Sequence, residues 1–125
     1  MDLKFLIVDD SLTMRRIVAN SLKNLGYESF VEAGDGKEAL TKLAADDGIN
    51  FVITDWNMPG LSGLDLIKAI RGNDKLSKLP VLMVTTRGVK EDIVEALNAK
   101  VNNYIVKPFT PQILKEKISA ILAVA

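Results

Sequence analysis

Apolar runs of strand length recur along this chain at residues 5–8, 51–53, 81–84 and 104–106. Each is short, rich in β-branched or aromatic residues and nearly unbroken in apolarity. A strand covered on both faces has this pattern, because neither side meets water. Residues 29–31 form a weaker run, expected as an edge strand. Between the runs lie amphipathic stretches with helix start signals. Ser11 or Asp10 can cap a helix with the apolar face Met14, Val18, Leu22 and Leu25, stopped by Gly26. Asp35 with Glu38 resembles a capping box before Ala39, Leu40 and Leu43, and Ser62 with Asp65 repeats it before Leu66, Ile67 and Ile70. Val89, Ile93 and Leu97 mark a fourth helix. Thr110-Pro111 opens the fifth, with Phe109 placed to staple onto Leu114 and a buried stripe of Leu114, Ile118, Ile121 and Leu122.

The order is strand–helix repeated through the chain. Right-handed crossovers turn that order into an α/β fold, a doubly wound (βα)5 parallel sheet with helices on both faces. In such sheets a ligand sits beyond the carboxyl ends of the strands, where strand order reverses. For a five-stranded sheet of order 2-1-3-4-5, that point lies between the first and third strands, which end in Asp9-Asp10 and Asp55. With 125 residues, 48% of them hydrophobic, the chain is expected to form one domain, residues 1–125, with a packed core.

Charge and missing residue types narrow the chemistry. Sixteen basic residues balance sixteen acidic ones, so no basic field draws nucleic acid or an anionic membrane. Without cysteine there is no disulfide and no thiolate metal site, and without histidine there is no imidazole ligand or Ser-His-Asp catalysis. The first apolar run is too short for a signal peptide or a membrane span, so the cytoplasm is expected. No heptad or wide apolar helix face demands a dimer, and a monomer is expected.

The ends of the strands carry the candidate chemistry. Helix capping can account for one of Asp9 and Asp10, but not for both. Asp55 precedes a Pro59-Gly60 turn, yet it also ends an apolar run beside the first pair. Unit charges about 4 Å apart repel by roughly 4 kcal/mol at an effective dielectric of about 20. A divalent cation and the ammonium of Lys107, which ends the last run, are the natural compensation. The set therefore points to a metal-assisted phosphate site. A carboxylate such as Asp55 can act as nucleophile toward phosphorus, and Mg²⁺ favours carboxylate, water and phosphate oxygens. Thr85 ends the fourth run and can offer its hydroxyl to a phosphoryl oxygen. Pro108 restricts Lys107 to extended backbone, and the bond between them is a candidate cis peptide. Gly34-Asp35-Gly36-Lys37-Glu38-Ala39 matches G-x-G-x-x-A on paper. It follows the second strand rather than the first and would turn Asp35 toward a pyrophosphate, so a nucleotide-binding enzyme fragment is a remote reading.

Asp9-Asp10, Asp55, Thr85 and Lys107-Pro108 together resemble the signature of the response-regulator receiver domain, a flavodoxin-like fold. The likeness covers the whole chain and leaves no output domain. Trp56 beside Asp55, and Tyr104 before Lys107, resemble the chemotaxis members of that family. The resemblance implies that Asp55 accepts a phosphoryl group from a histidine kinase. It implies that Asp10, Asp55 and the backbone carbonyl of Asn57 ligate Mg²⁺, with Asp9 acting through a water. Lys107 would contact the phosphoryl group, Thr85 would move to bond it, and Tyr104 would swing into the space vacated. The face of the fourth helix, fifth strand and fifth helix would then bind a flagellar motor switch protein. Such a protein is a signalling switch rather than a metabolic enzyme, catalysing only its own phosphorylation and dephosphorylation. A phosphorelay carrier or phosphate sink is the alternative. Two positions depart from the family pattern. Arg87 stands where chemotaxis regulators often carry an acid; its guanidinium is expected to lean toward the phosphoryl group and tune its lifetime, and a phosphatase relying on that acid is placed in doubt. Lys100 stands where Gly commonly closes the fourth helix; if the backbone is left-handed there, Lys costs about 1 kcal/mol relative to Gly.

Overall fold

The computed structural model describes residues 2–124. Strands and helices alternate as β1 (Phe5–Val8), α1 (Leu12–Asn24), β2 (Phe30–Ala33), α2 (Gly36–Ala45), β3 (Phe51–Thr54), α3 (Gly63–Arg71), β4 (Val81–Thr85), α4 (Lys90–Asn98), β5 (Asn103–Val106) and α5 (Pro111–Ala123). The strands form one parallel sheet of order β2-β1-β3-β4-β5, the flavodoxin-like arrangement expected from the sequence. The edge strand falls slightly later than expected. Its register pairs Phe5 with Phe30 and Val8 with Ala33, so the ladder runs on through Glu32, which had interrupted the apolar run.

Period-two alternation divides the core between the two faces of the sheet. Leu6 and Val8 of β1, with Val52 and Met83, pack among residues of α2, α3 and α4. Phe5, Ile7, Phe51, Ile53, Leu82 and Val84 pack against α1 and α5. Both faces are covered, and that is why the runs are apolar at consecutive positions.

The caps follow local chemistry. Ser11, not Asp10, caps α1, its hydroxyl accepting from the Met14 N–H at 3.2 Å. Gly26, at φ 94°, closes that helix with Tyr27 N–H donating to the Leu22 carbonyl at 2.9 Å. Asp35 accepts from Glu38 N–H at 2.7 Å; the reciprocal bond goes to Gly34 N–H rather than to Asp35 itself. Ser62 caps α3 through Asp65 N–H, and Thr110 caps α5 through Ile113 N–H. Phe109 and Leu114 belong to one cluster, and Leu114, Ile118 and Ile121 form the buried stripe, with Leu122 half-buried.

α4 departs from the expected picture. Val89 and Leu97 are exposed, Ile93 is half-buried, and Ala96 is the buried residue of the helix. The row at residues 89, 93 and 97 shares a side of the helix that only borders the sheet: Ile93 packs against the core beside Ala96, and the two ends of the row meet solvent. Lys100 follows at φ 71°, so the condition for strain at this position is met, with Val101 N–H reaching the Ala96 carbonyl at 3.3 Å.

At the rim opposite the carboxyl ends, Arg71 of α3 ties the chain together. Its guanidinium donates to the carbonyls of Ser77, Leu79 and Lys100 and to Asn102 Oδ1. Asn102 Oδ1 also accepts from Val81 N–H at 2.7 Å. The start of β4 and the turn before β5 are thereby fixed to α3.

Candidate functional site

Sheet hydrogen bonding continues one residue past three strand ends. Asp9 N–H donates to the Ala33 carbonyl at 3.1 Å, Asp55 N–H to Val8 at 2.9 Å, and Lys107 N–H to Thr85 at 2.8 Å. The ladder itself thus places the charged residues, and their side chains leave the sheet at one edge. Oxygens of Asp9, Asp10 and Asp55 lie within 4.8 Å of one another. Lys107 Nζ donates to Asp9 Oδ2 at 3.0 Å and to Asp55 Oδ2 at 3.2 Å. Its side chain is only 12% exposed, so it is a buried partner rather than a surface lysine. The Lys107-Pro108 peptide is cis.

The three carboxylates differ in setting. Asp9 is buried, Asp55 half-buried and Asp10 exposed. Burial raises the pKa of Asp9; bonds from Ser11 N–H and Lys107 oppose the rise, and the charge of Asp55 adds to it. Asp55 Oδ1 accepts from Trp56 N–H at 2.6 Å. The loop after Asp55 is held from the far side by Gly63, whose N–H donates to the Trp56 carbonyl at 2.8 Å. A Cβ at Gly63 would lie 1.9 Å from the Asp55 carbonyl oxygen, so only glycine allows α3 to start this close to the strand end.

Around this centre stand the remaining candidates. Thr85 is fully buried, and its Oγ1 accepts from Arg87 N–H at 3.4 Å. Arg87 Nε donates to Asn57 Oδ1 at 3.0 Å, its guanidinium lies 4.5 Å over the Trp56 ring, and Nη1 is 3.6 Å from Asp92. The guanidinium thus lies against Trp56 and Asn57, the two residues after Asp55. Tyr104 is already packed inward, its hydroxyl donating to the Arg87 carbonyl at 2.5 Å. The G-x-G-x-x-A look-alike resolves as a helix cap. Asp35 bonds the start of α2, and the Cα of Gly36 sits against Leu61, where a Cβ would come within 2.8 Å of a carbonyl oxygen.

Sequence reasoning passed over Arg15, Glu32 and Gly63. Arg15 lies in an Arg15-Arg16 pair that looks solvated, yet its Nη1 donates to the Asp9 carbonyl at 2.6 Å. The interruption of the second apolar run by Glu32 was the available signal that this residue has a partner.

Strand-end carboxylates bridged by a buried lysine, at the switch point of a 2-1-3-4-5 sheet, define a class. Residues 5–119 match the model of the response regulator receiver domain, and the chain belongs to that family. Within it, the chain is similar to chemotaxis regulators. It is 53% identical over 120 residues to chemotaxis protein CheY1 of Helicobacter pylori, covering 96% of this chain and 97% of that one. It is 54% identical to chemotaxis protein CheY-3 of Vibrio cholerae, covering 96% and 92%. Among solved structures, chemotaxis protein CheY4 of Vibrio cholerae superposes with a TM-score of 0.88 at 33% identity, covering 97% of this chain and 99% of that chain. Among the described residues no helix is long and apolar enough to cross a membrane.

Proposed function

We propose that this chain is a phosphorylation-controlled chemotaxis switch, with Asp55 the phosphoacceptor. The convergence of Asp9, Asp10 and Asp55 around Lys107 carries this reading. Three carboxylates against one ammonium leave two negative charges to be met. The donors are all oxygens, which suits Mg²⁺. Asp10, Asp55 and the backbone carbonyl of Asn57 would hold the ion, with Asp9 acting through water. When bound, Mg²⁺ neutralises charge on the phosphoryl oxygens.

A partner histidine kinase supplies the phosphoryl group, since this chain has no histidine. An Asp55 carboxylate oxygen attacks phosphorus, the P–O bond forms, the P–N bond to the donor imidazole breaks and its electron pair stays on that nitrogen, so the ring of the phosphoimidazolium, protonated on its other nitrogen, leaves as neutral imidazole. Lys107 transfers its bond from Asp55 to a phosphoryl oxygen as a point charge. The Thr85 hydroxyl turns to donate to another. Because Tyr104 is bonded to the carbonyl of Arg87, two residues beyond Thr85, a shift at Thr85 is felt at β5. The output surface is that of α4, β5 and α5, where Val94, Leu97, Val106 and Ile113 are exposed. Its partner is a flagellar motor switch protein.

The test uses Trp56, the only tryptophan of the chain and the neighbour of the acceptor. Titration with MgCl₂, and then with a small phosphodonor, changes its fluorescence in the parent. Asp55→Asn loses the phosphodonor response. A parent insensitive to both additions, or a mutant that keeps the second response, contradicts the assignment. Binding of the phosphorylated form to a motor-switch peptide separates this reading from a phosphate sink.

A further inference from the structure

Arg15 reaches the acidic pocket from α1 and Glu32 from the edge strand. Nη1 of Arg15 donates to the Asp9 carbonyl at 2.6 Å, and its Nε donates to Glu32 Oε1 at 3.1 Å. The Arg15 side chain is 17% exposed and that of Glu32 26%. Glu32 is itself held in place: Arg16 Nε lies 3.6 Å from its second oxygen, and Lys42 Nζ donates to its backbone carbonyl. The carbonyl that Arg15 grips belongs to the peptide joining Asp9 to Asp10. Asp9 is fixed by Ser11 N–H and Lys107, but Asp10 is exposed and its direction depends on how that peptide is turned.

A guanidinium is an awkward choice for a clamp beside a cation site, because its charge repels the ion the carboxylates attract. Glu32 removes that difficulty. Paired at 3.1 Å, it leaves Arg15 a strong directional donor with its charge locally cancelled. We propose that Arg15 and Glu32 are positioning residues of the pocket: Arg15 sets the Asp9–Asp10 peptide through its carbonyl, and Glu32 cancels the guanidinium charge so that divalent-cation affinity is preserved. This rests on the reading that the pocket takes Mg²⁺.

The experiment is a titration with MgCl₂ alone, followed by calorimetry and by Trp56 fluorescence, at low and high KCl. Arg15→Ala releases the carbonyl and weakens Mg²⁺ binding about tenfold at both salt concentrations, in the range found when residues that orient metal ligands are removed. Arg15→Gln keeps a neutral donor, so it lies closer to the parent and guards against a folding defect in the alanine variant. Glu32→Gln exposes the guanidinium charge and weakens binding several-fold at low salt; KCl screens this away. Adding Arg15→Gln to Glu32→Gln recovers part of the loss, so the two effects do not add. Glu28→Gln makes the same change in net charge at an exposed position two residues before β2 and serves as the control. A parent that binds Mg²⁺ while Arg15→Ala binds equally well, or while Glu32→Gln behaves as Glu28→Gln, overturns the proposal alone. A parent that does not bind Mg²⁺ overturns the reading of the pocket together with it.

Discussion

Gly63→Ala tests the packing that sets Asp55. The added Cβ would stand 1.9 Å from the Asp55 carbonyl oxygen, 2.8 Å from its carbon and 2.9 Å from the Trp56 Cα. All three are backbone atoms at the end of a buried strand, so no side chain can turn aside. Carbon–oxygen contacts settle near about 3.3 Å, so α3 and the loop must part by roughly 1.4 Å. Overpacking of this kind costs about 1–3 kcal/mol. Loss of the Gly63 N–H bond to the Trp56 carbonyl adds about 1 kcal/mol. The better helix propensity of alanine returns roughly 0.5–1 kcal/mol. The expected net is a loss of about 1–3.5 kcal/mol, read as a lower urea midpoint at unchanged slope. Gly72→Ala is the control, because its nearest neighbour would stand at 3.4 Å and its φ is −83°; it should be neutral or slightly stabilising. Gly63→Ala should also weaken Mg²⁺ binding, since the displaced carbonyl belongs to Asp55. Parent-like stability and parent-like Mg²⁺ affinity together would refute the packing argument.

Lys100→Gly should stabilise the fold by about 1 kcal/mol, because a side chain at φ 71° is strained and glycine is not; a lower urea midpoint would contradict this. Arg87→Glu removes the guanidinium from above Trp56 and its bond to Asn57, and should speed loss of the phosphoryl group from Asp55 several-fold; an unchanged dephosphorylation rate would dismiss Arg87 as a tuning residue. Burial, with Asp92 adding to it, pushes the Tyr104 hydroxyl up to about 12, against about 10 for a free tyrosine. The folded protein then holds that proton more tightly than the unfolded chain does. The contribution to stability is complete below about pH 10 and is lost as pH rises through about 12. Tyrosinate absorbance should show a late alkaline step that Tyr104→Phe removes, and a late step surviving that change would place it elsewhere.

The sheet and the acidic cluster were legible for one physical reason. A parallel sheet buried on both faces forces unbroken apolar runs, so the first charged residue after each run marks the strand's carboxyl end. Asp9, Asp55 and Lys107 were therefore visible before any coordinates were. Caps were legible because Ser11, Asp35, Ser62 and Thr110 act within three residues of themselves. What stayed hidden depends on residues distant in sequence. Arg71 looks like a cation complementing the end of a helix, yet it collects carbonyls as far away as Lys100. Gly63 looks like an unremarkable first helical residue until Asp55 is seen against it. Periodicity grouped Val89, Ile93 and Leu97 correctly on one side of α4 but could not say which side the sheet would take.

That last feature has a mechanical consequence. α4 fully buries one residue, Ala96, with Ile93 half-buried against the same core; its N-cap Val89 makes no side-chain bond, and it is followed by a left-handed lysine. A helix seated by one methyl group and one half-buried isoleucine gives up little packing when it tilts or slides. Reorienting α4 therefore costs less than reorienting α3 or α5, which bury leucines and isoleucines against the sheet.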